Sequence, residues 1–227
     1  MGKSVWVVVA AFNEHGSVGK VVRELLKNGY PNVVVVDDGS RDDTAKEAAE
    51  AGATSLQHVV NRGQGAALKT GIDYALEQGA DIIVNFDADG QHRVEDIPSI
   101  IKPVESGKAD VTFGSRFLKK TDVPFIRKFL LKGSVIVLWL FYGVRMTDAH
   151  NGFRALSREA AERIRLTADR MAHASEFVEE VHRLQLKYEE VPVVIRYTKD
   201  TMRKGHGGIS EAFRILYTMI VKKFFLR

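Results

Sequence analysis

The sequence predicts an α/β fold with a mainly parallel sheet flanked by helices. Two observations carry this. Short valine-rich runs alternate with amphipathic helical stretches over the first 114 residues, and each run ends in a polar cluster. Strands separated by helices are joined by right-handed crossovers, which makes neighbouring strands parallel. Runs that are apolar at nearly every position suit strands buried on both faces.

Val5 to Ala11 is the first such run, and Val18 to Leu26 follows as a helix with Val18, Val21, Val22, Leu25 and Leu26 on one face. Val33 to Val36 is a second buried strand. A helix is expected from Asp42 to Ala51, with acidic residues towards its positive start. Thr54 to Val60 reads as a third strand, Gly65 to Gln78 as a helix stopped by Gly79, and Asp81 to Phe86 and Asp110 to Phe113 as the fourth and fifth strands. In the second half, strands are expected at Phe153 to Leu156 and Val191 to Ile195. Helices are expected at Arg158 to Ile164, Ser175 to Gln185 and Glu211 to Leu226. Phe125 to Tyr142 is apolar with interspersed basic residues. It is long for a strand and shorter than the ~18 apolar residues of a membrane span.

The 227 residues and 45% hydrophobic content suit one folded domain with a real core. The chain has no cysteine, which excludes disulfides and thiol catalysis and leaves oxygen or imidazole ligands for any metal. Neither a signal peptide nor a spanning segment is expected. The net charge is +4, yet 116–145 and 196–227 each carry +6, so the rest of the chain is acidic at −8. Two basic segments on an acidic body fit an anionic partner or, more plainly, solvated surface charge. Apolar residues among the lysines favour a peripheral membrane contact. Core packing or a homo-oligomer contact would use the same residues.

In open parallel sheets, ligands bind beyond the carboxyl ends of the strands. Phe12-Asn13-Glu14, Asp37-Asp38-Gly39-Ser40, Asn61 to Ala67, Asp87 to His92 and Gly114-Ser115-Arg116 follow the first five strands. All five are polar and converge on one rim. Asp87-Ala88-Asp89 sends two carboxylates from an extended segment to the same side. With the Gln91 amide or the His92 imidazole, they suit Mg²⁺ or Mn²⁺. The same residues also serve as an acidic cap or turn. Asp37 can accept from a base or a ribose, while Gly39 turns the chain and Ser40 caps a helix. Gly63-Gln64-Gly65 can approach a phosphate at a helix start. Leu68 stands where a dinucleotide fingerprint needs its third glycine, which disfavours nicotinamide or flavin.

These segments occur in the order seen in family 2 glycosyltransferases. With Thr147-Asp148-Ala149-His150-Asn151-Gly152-Phe153-Arg154, the chain resembles the polyprenyl-phosphate (dolichyl-phosphate) mannose or glucose synthase branch. The resemblance implies a GT-A, Rossmann-like fold over 1–208, with 209–227 as an amphipathic basic helix. It implies inverting transfer of a hexose from GDP-mannose or UDP-glucose, a divalent metal, and a polyprenyl or dolichyl phosphate acceptor at the cytoplasmic membrane face. The donor and its phosphates would meet Asn13, Glu14, Asp37, Asp38, Gly39, Gly63, Gly65, Asp87 and Ala88. Asp87, Asp89 and Gln91 would hold the metal. Asp89, Arg116, Asp148 and Arg203 would serve catalysis, the two arginines at phosphates.

A lipid phosphate is already ionised, so no strong base is required. A soluble or glycan hydroxyl acceptor would need one, with Asp148 first and Glu176 second. His150, His173 and His206 read as surface or structural residues, and Glu179 and Glu180 as solvent-facing. Arg93-Val94-Glu95 replaces the proline usual after the metal motif, and Gly205-His206-Gly207-Gly208 replaces the usual Gly-x-Ser-Lys. The rivals are weaker. A nucleotidylyltransferase wants a glycine-rich basic loop after the first strand, which Ala11-Phe12-Asn13-Glu14 lacks. A sugar-nucleotide sensor would bind donor without turnover. An acidic rim disfavours nucleic acid.

Overall fold

The computed structural model describes residues 2–118, 146–148, 151–167 and 173–196. They form a seven-stranded sheet in the order β3-β2-β1-β4-β6-β5-β7. The strands are β1 (Val5–Ala11), β2 (Val33–Asp37), β3 (Thr54–Gln57), β4 (Ile82–Asp87), β5 (Val111–Ser115), β6 (Arg154–Ser157) and β7 (Tyr188–Pro192). The helices are α1 (Val18–Lys27), α2 (Thr44–Glu50), α3 (Gln64–Glu77), α4 (Ile97–Glu105), α5 (Arg158–Arg163) and α6 (His173–Arg183). Only β6 runs against its neighbours, antiparallel to both β4 and β5.

The valine runs explain the layering. Val7, Val9, Val35 and Val84 face a core with α1, α2 and α4, while Val8, Val34, Val36 and Ile83 face a second core with α3, α5 and α6. Alternate residues point to opposite faces, so a strand covered on both sides must be apolar throughout. α3 lies closest to the sheet at Gly71, where an added Cβ would come 2.3 Å from Val8 Cγ1. From β1 the chain winds outward to β2 and β3, then returns to β4 on the other side of β1. The reversal falls between β1 and β4, paired in parallel with Ala10 opposite Asp87. Crevices open at such reversals.

Four expectations are corrected. The third strand ends at Gln57, and Val59 and Val60 are 99% and 63% exposed beyond it, loop residues despite their β-branched side chains. β7 lies three residues earlier than the apolar run suggests. Among the described residues it is an edge strand and half-exposed, so its pairing with β5 needs no continuous apolar sequence. α4 was not expected, because Pro98 and Pro103 disguise it. Pro98 sits in the first turn, where a missing N–H costs nothing. Glu180 does not face solvent. It is 8% exposed and accepts from the Arg165 amide at 2.9 Å and from Arg183 Nε at 2.6 Å, which together hold its carboxyl below the usual range against the upward push of burial. The segment 125–142, the helix expected at 211–226 and the appendage 209–227 lie outside the described residues.

Candidate active site

The carboxyl ends of β1 and β4 border a cavity of about 430 Å³. Of the residues singled out in the sequence, Glu14, Asp38, Gly63, Asp87, Ala88, Asp89, Gln91 and Arg116 line it. So do Phe12, Asn61, Gln64, His92, Asn151, Gly152 and Arg154.

Asp87 ends β4. Its Oδ1 accepts from Gln64 Nε2 at 3.2 Å, at the first residue of α3, and its Oδ2 stands 2.8 Å from His92 Nε2. That second contact is not aligned as a hydrogen bond, and both His92 ring nitrogens are buried without one. The imidazole is held by Phe86 and Phe153, with ring centroids 5.3 and 4.9 Å away. Gly152 passes so near Asp87 that a Cβ would fall 2.8 Å from its Oδ1. Asp89 accepts from the Gln91 amide at 2.9 Å and from the Gln91 side chain. Burial, reinforced by the neighbouring Asp87 charge, raises the Asp89 carboxyl above its ordinary value.

Two hard carboxylates that repel one another in a partly buried setting fit a divalent cation, which would relieve both effects. Among the described residues no group of three or more His, Cys, Asp and Glu has metal-holding geometry. Asp87 and Asp89 could supply the one or two protein carboxylates that Mg²⁺ takes beside water and phosphate oxygens.

Two guanidiniums line the same cavity. Arg116, at the end of β5, is 6% exposed and gives Nε–H to Asp148 Oδ2 at 2.6 Å and its amide to the same oxygen at 3.1 Å. Arg154, on β6 opposite Asn85 of β4, is fully buried. Its Nε donates to the Asn151 carbonyl at 3.1 Å, and its guanidinium lies 4.6 Å from the Phe177 ring centroid. Desolvation pulls Arg154 down to about 10, against the stabilising charges of Asp87 and Asp148. It therefore stays cationic at neutral pH.

Asn13, Asp37, Gly39, Gly65 and Asp148 lie outside the cavity wall. Asp37 is fully buried and accepts from the Ser40 amide at 3.1 Å, from Gln57 Nε2 at 2.9 Å and from Ser40 Oγ. Asp38 accepts from the amides of Arg62 and Gly63 at 3.0 and 2.6 Å, and pairs with His58 Nδ1 at 2.8 Å. The pair of acids thus shapes the loops at the start of α2 and α3. Asn13, at φ 53°, gives its amide to Ser40 Oγ at 2.8 Å and accepts from the Arg41 amide at 3.0 Å, tying the β1 exit to the same turn. Gly39 has φ 71°, and a Cβ there would lie 2.8 Å from the Asn61 amide nitrogen. Glu176 accepts from the Thr167 amide at 3.0 Å and does not line the cavity. Arg203, His150 and His206 lie outside the described residues.

Sequence reasoning passed over Arg154 and Gln64. Arg154 sits in a quoted motif, but a lone arginine before Ala-Leu gives no sign that it is buried beneath a site. Gln64 was read only as the middle of a glycine turn.

A doubly covered, mainly parallel sheet with paired carboxylates and two buried cations at its carboxyl rim has the architecture of the GT-A glycosyltransferases. The family model "Glycosyl transferase family 2" matches residues 6–165, and the chain belongs to that family. It is 40% identical over 97% of its length to the uncharacterised protein MJ1222 of Methanocaldococcus jannaschii, covering 93% of that protein. It is 32% identical to a UDP-N-acetylglucosamine–dolichyl-phosphate N-acetylglucosaminyltransferase of Methanococcus voltae, over 97% of this chain and 96% of that one. Its fold resembles glucosyl-3-phosphoglycerate synthase from Mycobacterium tuberculosis, solved with UDP, at a TM-score of 0.75 and 19% identity, over 97% of this chain and 80% of that one.

Proposed function

We propose that this chain is an inverting hexosyltransferase that moves a sugar from a nucleotide diphosphate to a polyprenyl or dolichyl phosphate, working against the cytoplasmic face of a membrane. One observation carries the choice of acceptor. Asp148 and Glu176, the two carboxylates singled out as bases for a hydroxyl acceptor, do not line the cavity, while two cations do. Asp148 is 1% exposed, with Oδ2 on Arg116 and Oδ1 buried without a hydrogen-bond partner, out of reach of an incoming hydroxyl. Glu14 accepts from Ser17 Oγ at 2.6 Å, and Asp38 holds three donors. A phosphate monoester arrives ionised and needs no proton removed.

The chemistry is a single displacement. A phosphate oxygen of the acceptor bonds to the anomeric carbon as the bond from that carbon to the nucleoside diphosphate breaks, with inversion. Mg²⁺ or Mn²⁺ held by Asp87 and Asp89 would supply neutralisation of the diphosphate as it leaves. Arg116 and Arg154 add positive charge to the cavity wall, where two anions must approach each other. The N-terminal end of α3, beginning at Gln64, adds the partial positive charge of a helix start. Gln64 orients Asp87, and Gly152 lets the chain pass beside it.

The Methanococcus voltae relative's name supports the acceptor class and adds UDP-N-acetylglucosamine to the donors worth testing. No helix among the described residues is long and apolar enough to cross a membrane. Peripheral attachment would then rest on the basic apolar stretches within 116–145 and 196–227.

Donor binding is tested by thermal shift with GDP-mannose, UDP-glucose and UDP-N-acetylglucosamine, each with Mn²⁺. A donor at a hundred times its Kd stabilises by about 2.7 kcal/mol, or about 5–10 °C for a chain of this size. We expect one donor to reach this with Mn²⁺ and to fall well short with EDTA. No shift with any of them would remove the donor assignment.

A further inference from the structure

We infer that Glu190 is a positioning residue that fixes Arg116 in the site through Asp148. The inference rests on the transferase reading for what Arg116 does, not for the contacts themselves. Glu190 lies on β7 opposite Phe113 of β5, on the strand that flanks the Arg116 end of the sheet. Its Oε1 accepts from the Thr147 amide at 2.9 Å, from Thr147 Oγ1 at 2.9 Å and from the Asp148 amide at 3.0 Å. Its Oε2 lies 2.8 Å from the Thr147 amide nitrogen. One carboxylate thus gathers two successive backbone amides, an arrangement with the partial positive charge that favours an anion.

The contacts continue to both sides. Thr147 Oγ1 is 2.6 Å from Ser115 Oγ, which accepts from the Phe117 amide at 3.2 Å. Asp148 takes the Arg116 amide and Nε on a single oxygen. Thr147 and Asp148 are therefore bound to the end of β5 at Ser115 and Arg116, and Glu190 fixes their backbone. Asp148 is buried and Glu190 is half-buried, so the bonds made to Asp148 are shielded from competing water. Losing Glu190 frees two amides and a hydroxyl at once, and Asp148 loses the backbone position that aims its carboxylate. The guanidinium keeps its charge but loses its direction, and misdirected charge lowers diphosphate binding more than it lowers stability.

The test uses the full chain with Glu190→Ala, Glu190→Gln and Thr147→Val, measuring amide hydrogen exchange together with calorimetric binding of UDP and GDP in Mn²⁺. In Glu190→Ala the Arg116 and Phe117 amides should exchange roughly tenfold faster or more, with Val35 in β2 unchanged. Affinity for the preferred nucleotide should fall roughly tenfold, the scale of one charge-assisted bond. Glu190→Gln keeps one acceptor oxygen and should recover part of both effects. Thr147→Val should move both the same way but less, and it decides the matter if Glu190→Ala does not fold. In an Asp148→Asn background, Glu190→Ala should cost little further affinity, because both act through Arg116. Wild-type exchange at Arg116 and Phe117 in Glu190→Ala would overturn the inference. So would a lowered melting temperature with unchanged nucleotide affinity. If the wild type binds neither nucleotide, the transferase reading fails on its own, and the exchange data still decide the role of Glu190.

Discussion

Alanine at Asp87 is expected to reduce sugar transfer by about 10²–10³-fold and to lower stability, less than loss of Arg154 does because Asp148 still faces that cation. A cation that stabilises a leaving diphosphate contributes several kcal/mol to the transition state, and each 1.36 kcal/mol is about tenfold in rate. Asp87 also takes the Gln64 amide and stands against His92, so its loss disorders the approach to the site as well. Asp89→Asn should be equally damaging to transfer but opposite in its effect on stability. The raised Asp89 carboxyl means that its ionised form is disfavoured by the fold. That penalty is absent below the ordinary carboxylate range, grows as the pH rises through it, and is complete above the raised value. Metal-free Asp89→Asn should therefore melt higher than metal-free wild type at neutral pH, by about 2–4 °C for each kcal/mol relieved. The gain should vanish in acid, and Mn²⁺ should no longer stabilise the variant. Calorimetry with and without Mn²⁺, beside a transfer assay, checks all of these. Activity above a tenth of wild type in both variants would end the metal assignment.

The second large effect belongs to Arg154. Alanine there is expected to destabilise the chain by about 3–5 kcal/mol, because removing one member of a buried charged group leaves the others uncompensated. Asp87 and Asp148 would lose their shared cation, and Phe113 and Phe177 would lose the guanidinium packed on their rings. The melting temperature should drop by roughly 10 °C or more. Arg154→Lys keeps the charge but not the planar packing or the bond from Nε to the Asn151 carbonyl. It should fall between alanine and wild type in stability. A melting temperature within about 2 °C of wild type for the alanine variant, about 0.5–1 kcal/mol, would show that the cation is not integral to the core.

Much of this was legible in the sequence because the sheet is buried on both faces. Val33 to Val36 can only be a covered strand, and polar residues after each such run had to gather at one rim. The paired Asp87 and Asp89 were legible for the same reason. What escaped depends on tertiary partners. α4 hides behind two prolines that its first and last turns tolerate. β7 is an edge strand whose pairing does not require apolar residues. Val59 and Val60 look like strand but sit exposed on a loop. Glu180 looks like surface until Arg165 and Arg183 are seen to converge on it. The role of Asp148 could not be read from its neighbours in sequence, because its partners Arg116 and Glu190 come from strands 32 and 42 residues away. Arg154 lies between apolar residues, and only the fold places it between two acids and two rings.

On the proposed chemistry an anionic acceptor meets the donor in a cavity that neither Asp148 nor Glu176 lines. The most direct measurement is transfer of labelled sugar, from whichever donor binds best with Mn²⁺, to matched acceptors differing only in the phosphate: a polyprenyl phosphate and the parent polyprenol. The account predicts label in the polyprenyl phosphate product and at most about a hundredth as much in the polyprenol, since an unassisted alcohol lacks the 10²–10⁴-fold that a base supplies. Comparable transfer to the alcohol, lost on Asp148→Asn, would contradict it and make Asp148 the base of a hydroxyl-directed enzyme.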